Sequence, residues 1–229
     1  MDLKPLSILI TALVTLILGA YVFSKNPKKI INIAFLALSC SCGIWEQAMF
    51  VISIGARYEV LRFAGHMAFS SGALTACALL LFAYVFPEKR DKFPPARILL
   101  LILVPGLVMA TLAFTPLVMK DIAYVGSAVR PVYGKAVLAQ SLYVIGYTTT
   151  ALYLLGRKFF IITDRFQRVQ LKYMFWGTLV SAFGAVGATL VLPVIGISQY
   201  AGPLTAVVTM VAIGSISYAI VRHRLMDLG

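Results

Sequence analysis

Negative charge is what this chain has least of: eight Asp and Glu in 229 residues, against twenty Lys and Arg. Charged residues together make up only 12% of the sequence, and 61% is hydrophobic. A soluble fold of that composition would have far too much apolar surface to hide, and almost nothing is left over for a second domain. Histidine is nearly missing, with only His66 and His223, so no histidine pair has metal-ligand spacing. The three cysteines, Cys40, Cys42 and Cys77, all fall in apolar stretches. They form neither a disulfide framework nor a zinc pattern and read as small buried residues. A phosphate-cradling glycine loop and a Ser-His-Asp elbow are also lacking. The sequence therefore predicts a non-enzyme with no metal and no cofactor. The spans do not divide into two similar halves with matching broken helices, which counts against a transporter.

What the chain does have is seven apolar stretches, approximately Pro5–Phe23, Ile30–Ile54, Phe63–Phe86, Ile98–Phe114, Ala136–Leu155, Met174–Ile195 and Leu204–Val221. Each is near or above the roughly 17–25 residues a helix needs to cross a hydrocarbon core. The expected fold is all-α, a polytopic membrane bundle of seven transmembrane helices forming one sensory domain over 1–229. Punctuation agrees with the boundaries: Asn26-Pro27, Pro87, Pro94-Pro95 and Gly202-Pro203 fall at helix ends. Pro105 and Pro193 fall inside spans and predict kinks whose freed carbonyls find other donors. In the segment Thr115–Gly134, Arg130-Pro131 and Gly134 suggest a turn rather than a folded domain.

Charge sets the expected orientation. Lys25, Lys28, Lys29, Lys89, Arg90, Lys92, Arg97, Arg157, Lys158, Arg165, Arg168, Lys172, Arg222 and Arg224 lie in the odd loops and the C-terminal tail. That is fourteen of the twenty basic residues. Loops rich in Lys and Arg stay in the cytoplasm, so the N-terminus is expected outside and the C-terminus inside. The net charge of +12 then reflects topology and anionic inner-leaflet lipids, with no nucleic-acid partner needed. The first stretch carries its bases after the apolar run, unlike a cleavable signal, and reads as a retained span.

One polar residue is out of place. Glu46 sits in the outer half of the second span, where an acidic side chain costs a few kcal/mol and usually faces a partner, a cavity or an ion path. At similar depth lie Trp45, then His66 and Ser70 on the third span, and Gln140, Tyr143 and Tyr147 on one face of the fifth. The candidate ligand-binding set is Glu46, Trp45, His66, Gln140, Tyr143 and Tyr147. The competing reading is a Glu46 hydrogen-bonded to His66 or Tyr143 that simply locks the bundle. Gly177/Ser181 and Gly184/Ala188 repeat small residues one turn apart, the pattern of close helix packing. It fits contacts within the bundle better than a homodimer interface. The last span has no breaker before Leu228, so its helix can run into the cytoplasm as a mechanical output or end as an interfacial anchor.

The chain resembles the N-terminal seven-transmembrane region of bacterial sensor histidine kinases and some diguanylate cyclases. The resemblance is carried by Arg165–Tyr173 ahead of the sixth span, Leu192–Gly196, Tyr200–Pro203 and Ser217–Asp227. Asn26–Phe35 and Phe86-Pro87 also fit. It implies a sensory input module in the bacterial inner (plasma) membrane. Such a module binds an extracytoplasmic or lipid-borne small ligand and feeds a cytoplasmic kinase or cyclase domain, fused or separate. The ligand is not a family constant, so no binding residue is carried over. The alternative function is a small ion- or proton-coupled transporter using Glu46.

Overall fold

A computed structural model describes residues 3–87, 94–125, 128–186 and 201–222. Its described residues form seven helices and one hairpin: α1 Leu3–Lys25, α2 Ile30–Ser53, α3 Tyr58–Val85, α4 Ala96–Leu112, β1 Met119–Val125, β2 Ala128–Tyr133, α5 Val137–Ile161, α6 Arg165–Val186 and α7 Ala201–Arg222. α1, α2 and α3 are each long and apolar enough to cross a membrane. α4 and Pro203–Ala219 of α7 are shorter apolar helices. α5 is long enough but less apolar, because Gln140, Tyr143, Tyr147 and Thr148–Thr150 interrupt it. Most of these polar groups lie on the faces α5 turns toward other helices.

Packing runs around a ring, α1–α2–α3–α5–α6–α7 and back to α1, with α4 laid against the outside of α3. Leu100, Leu101, Val104 and Leu107 on the outer face of α4 are exposed, as lipid-facing leucines and valines should be. Small residues set the close crossings. A methyl group at Gly43 of α2 would lie 2.7 Å from the Leu16 side chain of α1, and one at Gly177 of α6 would lie 2.7 Å from Ser215 Cβ of α7. Gly184 meets Val208 in the same way, so two of the small residues singled out in α6 serve contacts inside the bundle. The core is richest along α2 and α3, where Phe35, Phe82 and Phe86 are fully buried.

Polar groups close the helix ends. Asn32, almost fully buried, donates from Nδ2 to the Asn26 carbonyl at 2.8 Å and so fastens the α1–α2 turn. Gly55 takes φ +67° in the α2–α3 turn, a conformation that favours glycine. α3 ends at Phe86-Pro87, and proline has no N–H to offer the carbonyls one turn back. Lys158 of α5 supplies the missing donor: its Nζ lies 3.1, 2.6 and 2.5 Å from the carbonyls of Ala83, Tyr84 and Phe86. A cation there also suits the negative end of the helix. The sequence-based count placed Lys158 among the loop charges, but it belongs to α5.

Two expectations are corrected. The basic segment 157–172 is not a loop. α5 runs to Ile161 and α6 starts at Arg165, because Asp164 accepts the Gln167 N–H at 3.0 Å as an N-cap. The Thr115–Gly134 segment is not a bare turn either: it holds a two-stranded hairpin in an otherwise all-helical fold. β1 and β2 pair antiparallel from Met119↔Tyr133 to Val125↔Ala128. Met119 and Ile122 bury against Leu61, Ile52 and Ala56 at the ends of α2 and α3, and Phe69 meets Tyr133 edge-on. The Tyr58 hydroxyl donates to Asp121 Oδ1, which also accepts the Ile122 N–H at 2.8 Å. These two bonds hold the Asp121 carboxyl below the ordinary aspartate range. Gly134 then turns the chain into α5. Its N–H reaches the Val118 carbonyl at 2.9 Å, and any side chain there would run into the Leu117 carbonyl.

Candidate functional site

Of the six residues nominated from sequence, only Trp45 is among those lining the cavity described below. Gln140, Tyr143 and Tyr147 do lie along one face of α5, as their spacing requires, but each reaches backbone. Gln140 Nε2 donates to the Phe69 carbonyl at 3.1 Å and Tyr143 to that of Ala73 at 3.2 Å. Tyr147 donates to the Leu101 carbonyl at 3.0 Å, with that of Ile102 at 3.3 Å. Leu101 is four residues before Pro105, so its carbonyl has lost its helical donor. The tyrosine hydroxyl replaces it, as the kink requires. Next to the kink, Gly106 makes room for Cys77 and the Tyr143 hydroxyl. His66 lies apart from these, its Nδ1–H donating to the Ala113 carbonyl at 2.7 Å and its ring stacked on Phe114. Nδ1 carries the proton, since a carbonyl can only accept.

Glu46 is 0% exposed and neither carboxyl oxygen has a hydrogen-bond partner. Thr15 of α1 lies beside it but outside bonding geometry. The lock to His66 or Tyr143 is therefore not made, because both donors are spent on backbone carbonyls. Trp45, one residue earlier, points a different way. It lines a partly open cavity of about 220 Å³ between α2, α3, α5, α6 and α7.

That cavity was not legible from single polar outliers. Besides the Cys42 thiol and the Trp45 indole, its polar groups are hydroxyls spread over four helices: Thr75 on α3, Thr148 on α5, Thr178 and Ser181 on α6, Thr205 and Thr209 on α7. The rest of the wall is apolar, including Leu38, Leu79, Ile213 and Ile216, and no described lining residue is charged. Threonines in spans are easily passed over, because they can bond to their own helix one turn back. Thr75 does so to Ser71 at 2.9 Å and Thr209 to Thr205 at 2.9 Å. Thr178 does not. It is 4% exposed and its hydroxyl has no partner. Among the described residues no cluster of His, Cys, Asp or Glu could hold a metal ion.

A seven-helix bundle with Arg165–Tyr173 opening α6 matches one family over nearly the whole chain. The model of the N-terminal 7TM region of histidine kinases covers residues 7–229. The chain belongs to that family. It is thus a membrane protein of the sensory region that accompanies histidine kinases, and the resemblance read from sequence holds. No curated protein gives a significant match. Of the family's exit from the membrane, Ser217–Asp227, α7 holds residues 217–222; the remainder lies outside the described residues, as do the second kink proline, Pro193, and His223.

Proposed function

We propose that the chain is a receptor module of the bacterial inner membrane, N-terminus outside, in which a small ligand in the α2–α3–α5–α6–α7 cavity shifts α7 against its neighbours. The supporting observation is the make-up of the cavity wall. Five of its lining residues, Thr205, Thr209, Ala212, Ile213 and Ile216, belong to α7, the helix nearest any domain that follows. A molecule filling the cavity therefore touches the output helix directly, and its differential affinity for two α7 positions can bias them. Trp45 is the nominated residue that faces this ligand, and Glu46 backs it on the same turn of α2. His66, Gln140, Tyr143 and Tyr147 act as braces.

The test is a fusion to a histidine kinase domain reconstituted in nanodiscs. Ala182→Phe, which occupies the cavity with a phenyl ring, should change autophosphorylation severalfold without loss of folded protein. Unchanged autophosphorylation in Ala182→Phe and in a second filler, Thr148→Phe, would overturn the reading. The competing reading, ion or proton transport, draws on the unpartnered Glu46 carboxyl. Liposome flux that Glu46→Gln abolishes would favour transport.

A further inference from the structure

We infer that the cavity takes one uncharged molecule with an aliphatic body of about nine non-hydrogen atoms and a single hydroxyl. This rests on the receptor reading above and adds the chemical class of the ligand. Size comes first. A cavity of about 150 Å³ lined by apolar side chains accommodates the six carbons of benzene. A cavity of about 220 Å³ scales to roughly nine heavy atoms on the same footing.

Charge comes second. No described residue lining the cavity is Lys, Arg, Asp or Glu, and Glu46 points elsewhere. An ionised ligand would enter unpaired among apolar walls, at a cost no contact in the cavity offsets. The single polar group is read from the hydroxyls. Thr75 and Thr209 have given their protons to their own helices, so they offer the cavity only acceptor lone pairs. Thr178 is nine-tenths buried with its donor unspent. A ligand hydroxyl answers both needs, accepting from Thr178 and donating to Thr75 or Thr209. A ketone meets only the first and a hydrocarbon neither. The indole of Trp45 and the side chains of Leu79, Ile213 and Ile216 are left for the chain.

Trp45 also reports on the site. The sequence has two tryptophans, so Trp176→Phe leaves Trp45 as the sole emitter. In nanodiscs of that variant, 1-octanol should shift Trp45 emission saturably, octane should bind more weakly, and octanoate should give no saturable shift. Thr178→Val keeps the shape and removes the hydroxyl, so it should weaken octanol about tenfold and leave octane unchanged. Ala182→Leu and Ala182→Phe should reduce and then abolish the response. Octanoate binding as well as octanol, or octanol affinity indifferent to Thr178→Val, would overturn the assignment.

Discs containing lipids with brominated acyl chains identify the source of the molecule. Quenching of Trp45 that octanol relieves assigns the cavity to a chain of the bilayer itself, and no quenching assigns it to a free alcohol. Octanol binding that leaves kinase autophosphorylation unmoved would refute the α7 coupling and leave the ligand class standing. Cavity fillers that move autophosphorylation while octanol fails to bind would refute the class alone.

Discussion

Replacing Tyr147 with Phe removes one oxygen atom and should cost far more than an average membrane hydrogen bond. The Tyr147 hydroxyl donates to the Leu101 carbonyl at 3.0 Å, an acceptor that Pro105 has deprived of its helical donor. Interhelical hydrogen bonds in membranes average about 0.6 kcal/mol and reach about 1.7, because the reference state also finds partners. A carbonyl left unpaired among apolar groups adds roughly 1–3 kcal/mol. Together these place Tyr147→Phe at about 2 kcal/mol. Pro105→Ala changes that figure in a defined way. With an N–H restored at position 105, Leu101 regains its own partner, and losing the Tyr147 hydroxyl then costs only about 0.6 kcal/mol. A double-mutant cycle should thus show a coupling of roughly 1 kcal/mol or more, measured by reversible unfolding in mixed micelles of increasing SDS fraction. Equal costs for Tyr147→Phe in the natural chain and in the Pro105→Ala background would refute the assignment of Tyr147 as the donor that completes the kink.

Lys158→Met should cost about 2 kcal/mol in the same assay, since it strips a charged donor from three carbonyls at the end of α3, and Lys158→Arg should recover part of the loss. Asp121 has its carboxyl lowered by the Tyr58 hydroxyl first and the Ile122 N–H second. The stability it contributes is therefore present above the ordinary aspartate value of 3.8 and is lost as pH falls through the lower folded value. The melting advantage of the natural chain over Asp121→Asn should shrink across that acidic window; an advantage that persists at the acid end would contradict the pairing. In a background without native cysteines, an impermeant thiol reagent on intact cells should label a cysteine at position 120 and spare one at 165, the N-out arrangement expected from the basic loops; the opposite pattern would invert the topology.

Helix number and most boundaries were legible because lipid crossing demands long apolar runs and proline or glycine marks their ends. The hairpin was hidden because Met119–Val125 is short, carries Lys120 and Asp121, and buries only Met119 and Ile122 against the ends of α2 and α3. Its pairing is decided by tertiary contact, and local pattern does not display that. The start of α6 was legible in principle: Asp164-x-x-Gln167 is an N-terminal signature, masked by reading every basic residue as loop. For the site, the rule that buried polar residues mark function found real interior groups but could not sort them. His66, Gln140, Tyr143 and Tyr147 spend their donors on carbonyls of α3 and α4 and of the turn that follows α4; Pro105 sets that demand for Tyr147 and the end of α4 sets it for His66. The cavity depends on where neighbouring helices leave space, and no single residue encodes that.

If α7 is the moving part, the frame it moves against is α3, α4 and α5. α3, α4 and α5 are braced by side chains that bond backbone on a neighbouring segment: His66, Gln140, Tyr143, Tyr147 and Lys158. Such bonds are directional and would break if those helices slid by a turn. α6 and α7 meet through Gly177 against Ser215, Gly184 against Val208 and the edge-on rings of Tyr173 and Tyr218. The cavity lies between the braced frame and the α6–α7 pair, with Thr75, Leu79 and Thr148 on one side and Thr178, Thr209 and Ile213 on the other. Occupancy should therefore move α7 and α6 relative to a fixed α3–α4–α5 frame. Distances between spin labels on α3 and α5 should stay constant on adding octanol while those from α3 to α7 change. Equal changes in both pairs would mean the bundle breathes as a whole and has no separate output helix.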